Sequence, residues 1–191
     1  CPMDGRLVLL HGWGANGHDL QPLGEQLALQ HPKGLDVVCL EAPEAHPQPG
    51  GRQWYGLFPP QWDAIPGAVG QLRARLLKLS SDSIPLERTV LFGFSQGGAM
   101  ALDCGCTLPL AGLISCSGYA HPDWEPSSQH PSALLMHGRQ DQVVPFAQLE
   151  TIRSKLNPGP CEALAFDDGH TIPDGMMRPI GQFLSTVLST G

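Results

Sequence analysis

Positive charge is scarce: three Lys and eight Arg face eighteen acidic residues, leaving a net charge of −7. No block of like charge occurs, so the basic stripe that tracks phosphates is missing, and neither nucleic acid nor an anionic membrane surface is an expected partner. Long apolar runs are also lacking. None reaches the about 18 residues that span a bilayer, so no transmembrane helix and no stable membrane anchor are expected. The six cysteines never fall in C-x-x-C spacing, which argues against a zinc or thioredoxin pair. H-E-x-x-H and the P-loop signature are absent, so neither a metal nor a cofactor is expected.

What is present fits one compact unit. The 191 residues form a single expected domain, 1–191, with room for one sizeable core. Gly and Pro number 42 together, just short of the roughly 25–30% that signals low complexity, which implies a globule with long loops. Four cysteines sit in apolar runs and read as buried free thiols of a reducing, cytoplasmic compartment. Cys1, with no Met before it and no charged-then-apolar leader, reads as a processed or trimmed start rather than a lipid-modified cysteine.

Apolar, β-branched runs at Arg6–Leu10, Asp36–Leu40, Thr89–Phe92, Leu110–Ser115, Ala133–His137 and Cys161–Phe166 alternate with helical stepping. Ile65, Val69, Leu72, Leu76 and Leu79 line one helix face; Phe146 to Leu156 and Ile180 to Leu188 repeat that stepping, and Leu20–Gln30 fits a weaker helix. The pattern predicts an α/β fold with a mostly parallel sheet of about six or seven strands between helices. Glu41–Trp62 breaks it, with five prolines and four aromatics. It is read as a binding or lid loop in preference to a well-packed structural one. His121–Pro131 is a second loop of that kind.

Gly93-Phe94-Ser95-Gln96-Gly97 follows a strand and opens a helix. A chance match to G-x-S-x-G is expected in roughly one of six shuffled chains of this composition, so placement carries the signal. A serine on so sharp a turn needs glycine on both sides. Its hydroxyl also needs a base and an orienting carboxylate. Asp141 follows the strand ending at His137, and His170 follows the strand ending at Phe166, giving the order Ser95, Asp141, His170 at three strand ends. Asp167 and Asp168 remain alternatives for the acid. His31, His46, His121 and His130 read as surface residues, whereas His11, His18 and His137 lie nearer the cleft. The backbone N–H groups of Gln96 and Trp13 are the candidate oxyanion donors, the latter in His11-Gly12-Trp13-Gly14, where Gly12 and Gly14 are not read as a phosphate cradle.

Together with Val144-Pro145 and Gly169-His170, these motifs resemble the α/β-hydrolase family of acyl-protein thioesterases, lysophospholipase-like enzymes and small carboxylesterases. The resemblance implies an α/β-hydrolase fold with a minimal cap, a triad of Ser95, Asp141 and His170, and an oxyanion hole from Trp13 and Gln96. It implies small-molecule ester or thioester substrates, with acylated proteins and lysophospholipids as further classes. Trp54-Tyr55 resembles the family's Trp-aromatic pair, so Trp54, Tyr55 and Phe58 are expected to bind substrate. Trp13 stands where Leu is usual and Gly56 where Asp is usual; the bulk of Trp13 favours shorter acyl groups. The alternatives are a non-catalytic binder of hydrophobic ligands and a C–C or peptide-bond hydrolase on the same fold.

Overall fold

The computed structural model describes residues 3, 5–81 and 83–189; Cys1 lies outside them. Six parallel strands form the main sheet: β1 (Arg6–Leu10), β2 (Asp36–Leu40), β5 (Thr89–Phe94), β6 (Gly112–Cys116), β7 (Ala133–Gly138) and β8 (Cys161–Phe166). Between β2 and β5 lies a short antiparallel hairpin, β3 (Glu44–Ala45) with β4 (Arg52–Gln53). Helices α1 (Gln21–Gln30), α2 (Ile65–Leu79), α3 (Gln96–Gly105), α4 (Gln148–Leu156) and α5 (Met177–Val187) complete the chain.

The sheet order is β2-β1-β5-β6-β7-β8. Its central strands β1, β5, β6 and β7 are buried on both faces, hence their near-continuous apolar sequences. Side-chain alternation divides them cleanly. Val8, Leu10 and Leu91 pack with α2 and α3, whereas Leu7, Leu9, Val90 and Phe92 pack with α1 and α5. On α2, Leu72 and Leu76 enter the first core; on α5, Ile180 and Leu184 enter the second.

The strand edges differ from expectation at one place that matters. β5 runs on through Gly93 and Phe94, which pair with Ser115 and Cys116 of β6. Glycine at 93 does not interrupt the ladder, and its missing side chain leaves room for the sharp turn into α3. The order reverses between β1 and β5, so the loops leaving these strands diverge and open a crevice at their carboxyl ends, as expected at a topological switch point.

Candidate active site

Ser95 occupies the residue between β5 and α3 at φ 59°, ψ −118°, a conformation costly for a side chain of any kind. The turn is tight enough that a Cβ on Gly93 would run into the Gly97 carbonyl, and one on Gly97 into the Leu10 carbonyl. Two glycines are therefore steric requirements of the elbow. Ser95 is only half-buried, so its hydroxyl is open to the crevice.

Three loops converge on it. His170 Nε2 lies 3.0 Å from Ser95 Oγ, and His170 Nδ1 lies 2.8 Å from Asp141 Oδ2. With Asp141 ionised, Nδ1–H donates to the carboxylate and Nε2 is left to accept the serine proton. The Asp141 side chain is 0% exposed against 18% for His170. Burial pushes the Asp141 carboxyl up, but hydrogen bonds from His170 and from the amides of Val144 and Val143 outweigh it and hold the group below the ordinary carboxylate range. Asp167 instead pairs with Arg139 at the surface, and Asp168 accepts from the Gly169 amide.

The amides of Trp13 and Gln96 donate to no backbone carbonyl in turns, loops or caps among the described residues. Gln96 stands at the N-terminus of α3, where the helix dipole favours negative charge. Gly12, Gly14 and Gly17 happen to have the G-x-G-x-x-G spacing of a dinucleotide cradle. However, α1 begins only at Gln21, so no helix N-terminus comes directly after them. A cleft of about 600 Å³ holds Ser95 and His170, with Trp13, Leu23, Ile172 and Met177 among its walls.

Several expectations are corrected. Trp54 and Tyr55 are 2% and 0% exposed and belong to the core, so they do not line the cleft. Their polar ends are consumed internally: the Trp54 indole N–H donates to the His11 carbonyl at 2.9 Å, and Tyr55 Oη lies 2.6 Å from both His121 Nε2 and Tyr119 Oη. Phe58 is 84% exposed and packs edge-on against Trp13 outside the cleft lining. Glu41–Trp62 is accordingly no lid over the serine. Its middle forms the β3–β4 hairpin, and Trp54 and Tyr55 just after it are packed inside, because these two aromatics bury more favourably than they would cover a polar site, whereas Phe58 and Trp62 stay exposed.

Three histidines expected at the surface are buried. His31, His121 and His130 are the three, with His121 Nδ1 at 2.7 Å from Asp103 Oδ2 on α3 and His130 Nε2 at 2.8 Å from the Leu156 carbonyl. His46 is half-buried against Trp13. His18 is exposed, while His11 and His137 are buried beside the site.

Two contributors were not foreseeable from the sequence patterns. His137 Nε2–H donates to the Val144 carbonyl at 2.9 Å and stands 3.4 Å from Asp141 Oδ2, bracing the acid's loop. Its i, i+4 spacing to Asp141 was the one signal that could have found it. The Gln96 side chain, 0% exposed, accepts from the Trp54 amide and donates to the Tyr55 carbonyl. Nothing local in the sequence announces that bridge.

Among the described residues no group of three or more His, Cys, Asp or Glu is arranged to hold an ion. Five described cysteines are free; burial pushes the thiols of Cys104, Cys106 and Cys116 up to about 12, so they are neutral and unreactive.

Residues 2–188 match the model of the phospholipase/carboxylesterase family. The chain is 34% identical over 168 residues to acyl-protein thioesterase 1 of Neurospora crassa, covering 73% of this chain and 68% of that protein. It is 29% identical over 163 residues to acyl-protein thioesterase 1 of Yarrowia lipolytica, covering 73% and 70%. The crystal structure of esterase PE8 superposes with a TM-score of 0.85 at 30% identity, over 97% of this chain and 93% of that one.

Proposed function

Because this chain belongs to the phospholipase/carboxylesterase family and is a serine hydrolase of esters or thioesters, we propose that Ser95 is its nucleophile, His170 its base and Asp141 the carboxylate that orients the base. The observation that carries this reading is the unbroken line Asp141 Oδ2–His170 Nδ1 at 2.8 Å and His170 Nε2–Ser95 Oγ at 3.0 Å. Ser95 Oγ attacks the acyl carbonyl while His170 takes its proton. The negative oxygen that develops is held by the amides of Trp13 and Gln96. His170 then returns the proton to the departing alcohol or thiol, and water, activated by the same imidazole, hydrolyses the acyl-serine.

The substrate classes we propose are small-molecule carboxylic esters and thioesters, with lysophospholipids and acylated proteins as larger acyl donors. The two thioesterase relatives support the last class by name. The Trp13 side chain in the cleft wall favours short acyl chains. The whole sequence is proposed to act as one domain, supported by its one main sheet with helices on both faces. Free thiols support a cytoplasmic site of action; no described helix is long and apolar enough to cross a membrane.

A fluorophosphonate probe tests the assignment. Stoichiometric labelling of the wild-type chain is expected, with none in Ser95→Ala, whose turnover of p-nitrophenyl butyrate should fall on the order of 10⁶-fold. Labelling that survives in Ser95→Ala defeats the assignment.

A further inference from the structure

The two amides proposed as oxyanion donors follow different strands. Trp13 lies after β1 and Gln96 after β5. Their turns touch directly, Gly97 against the Leu10 carbonyl and Gly12 against the Ser95 side chain, yet among the described residues neither amide donates to a backbone carbonyl in loops or caps. We infer that the segment Arg52–Tyr55 completes their mutual placement, with Gln53 and Tyr55 as positioning residues for the reaction; the inference rests on reading those amides as the oxyanion donors.

One end of the segment grips the Trp13 loop. The Gly14 amide donates to the Arg52 carbonyl at 2.8 Å and the Arg52 amide to the Ala15 carbonyl at 2.7 Å, so the loop pairs with β4. The Trp13 indole N–H donates to Gln53 Oε1 at 2.9 Å, tying the residue that owns the amide directly to the hairpin. There is no slack, because a Cβ on Gly51 would lie 2.6 Å from the Gly14 carbonyl. The His46 ring, 4.0 Å away and edge-on, closes the indole in from another side.

The other end grips Gln96. The Trp54 amide donates to Gln96 Oε1 at 2.9 Å, and Gln96 Nε2–H donates to the Tyr55 carbonyl at 2.9 Å. A side chain bonded at both its atoms fixes the rotamer, and with it the orientation, of the residue next to the serine. Between the two grips, the Trp54 indole holds the His11 carbonyl. The segment is itself anchored by Tyr55 Oη to His121, and by His121 to Asp103 on α3. Four consecutive residues thus span both donors and are tied back to the helix that carries one of them.

The size of the effect is set by geometry. A displacement of about 1 Å at a catalytic group costs about 10²-fold, and loss of one strut should shift a donor by less, so roughly tenfold is expected. The measurements are kcat and KM on p-nitrophenyl butyrate and the Kd of phenylboronic acid, which forms a tetrahedral adduct on the serine. Gln53→Met and Tyr55→Phe should each lower kcat roughly tenfold with KM nearly unchanged, and raise the boronate Kd by the same factor. Gln53→Glu combined with Glu44→Gln keeps the acceptor for the indole and the hydrogen bond between residues 53 and 44 with its direction reversed, and should recover most of kcat.

Unchanged kcat in both Gln53→Met and Tyr55→Phe overturns the inference. So does a fall in kcat that leaves boronate affinity untouched, which would mark a purely structural role. If Ser95→Ala binds the boronate as well as the wild type, the underlying assignment of the serine is what has failed. If that variant loses binding while Gln53→Met and Tyr55→Phe behave normally, only the positioning role is refuted.

Discussion

Asp141 shows how one side chain is fitted to its proposed task. Oδ1 accepts two backbone amides of its own loop and Oδ2 accepts from His170, so the carboxylate is immobilised as well as kept charged. Asp141→Asn retains the shape but can favour the wrong tautomer of His170, and kcat is expected to fall about 10⁴-fold. Steady-state turnover at pH 8, with fluorophosphonate labelling slowed in parallel, checks this. His11 is also held low, but in its case the group kept by the fold is the neutral one. Burial holds its imidazole below its ordinary value, and the Ala42 amide donates to Nε2, so the folded state keeps it neutral. The unfolded chain then binds a proton more readily, and stability must fall as pH drops below about 6.5. Thermal melts from pH 7.5 to 5 should show this decline. His11→Gln, which can make both hydrogen bonds without titrating, should show a shallower one. At this scale the sequence spoke only in part: strand-end positions marked Ser95, Asp141 and His170, but burial of His121 depends on Asp103 and Tyr55 coming to meet it, and burial of His130 on the Leu156 carbonyl.

The element on which the proposed chemistry rests is the strand-turn-helix at Ser95. Gly97 has the Leu10 carbonyl where a side chain would be, so Gly97→Ala is expected to destabilise by at least about 2 kcal/mol through overpacking. Gly67 and Gly70 on the exposed side of α2 have open space instead, and alanine at each should stabilise by about 0.5–1 kcal/mol. Denaturant midpoints of the three variants separate these cases, since a generic helix-propensity effect would raise all of them. Helices and strands were legible because their periodicities are local. The segment 41–62 was not. Its prolines and aromatics describe an irregular, ordered stretch equally well as a lid or as a core-packed strut, and only the positions of Gln96 and His121 show that Trp54 and Tyr55 face inward.

At the level of the whole molecule, the sheet order places the loops after β1 and β5 on either side of one crevice. The proposed reaction needs nothing beyond the protein and water, so p-nitrophenyl butyrate turnover is expected to survive prolonged EDTA treatment and desalting within about 10%. Loss of activity restored by a divalent ion would contradict it.

The amino-acid order alone determined the alternation of strands and helices, the elbow glycines and the order of the three reactive groups, because each depends on neighbours a few residues apart or on position at a strand end. Which carboxylate faces His170, which histidines are buried, and the inward packing of Trp54 and Tyr55 in an apparent lid were decided only by tertiary structure. Those outcomes rest on hydrogen bonds between residues 18 to 75 positions apart, and partners so distant are chosen by how the sheet stacks, which no local pattern encodes.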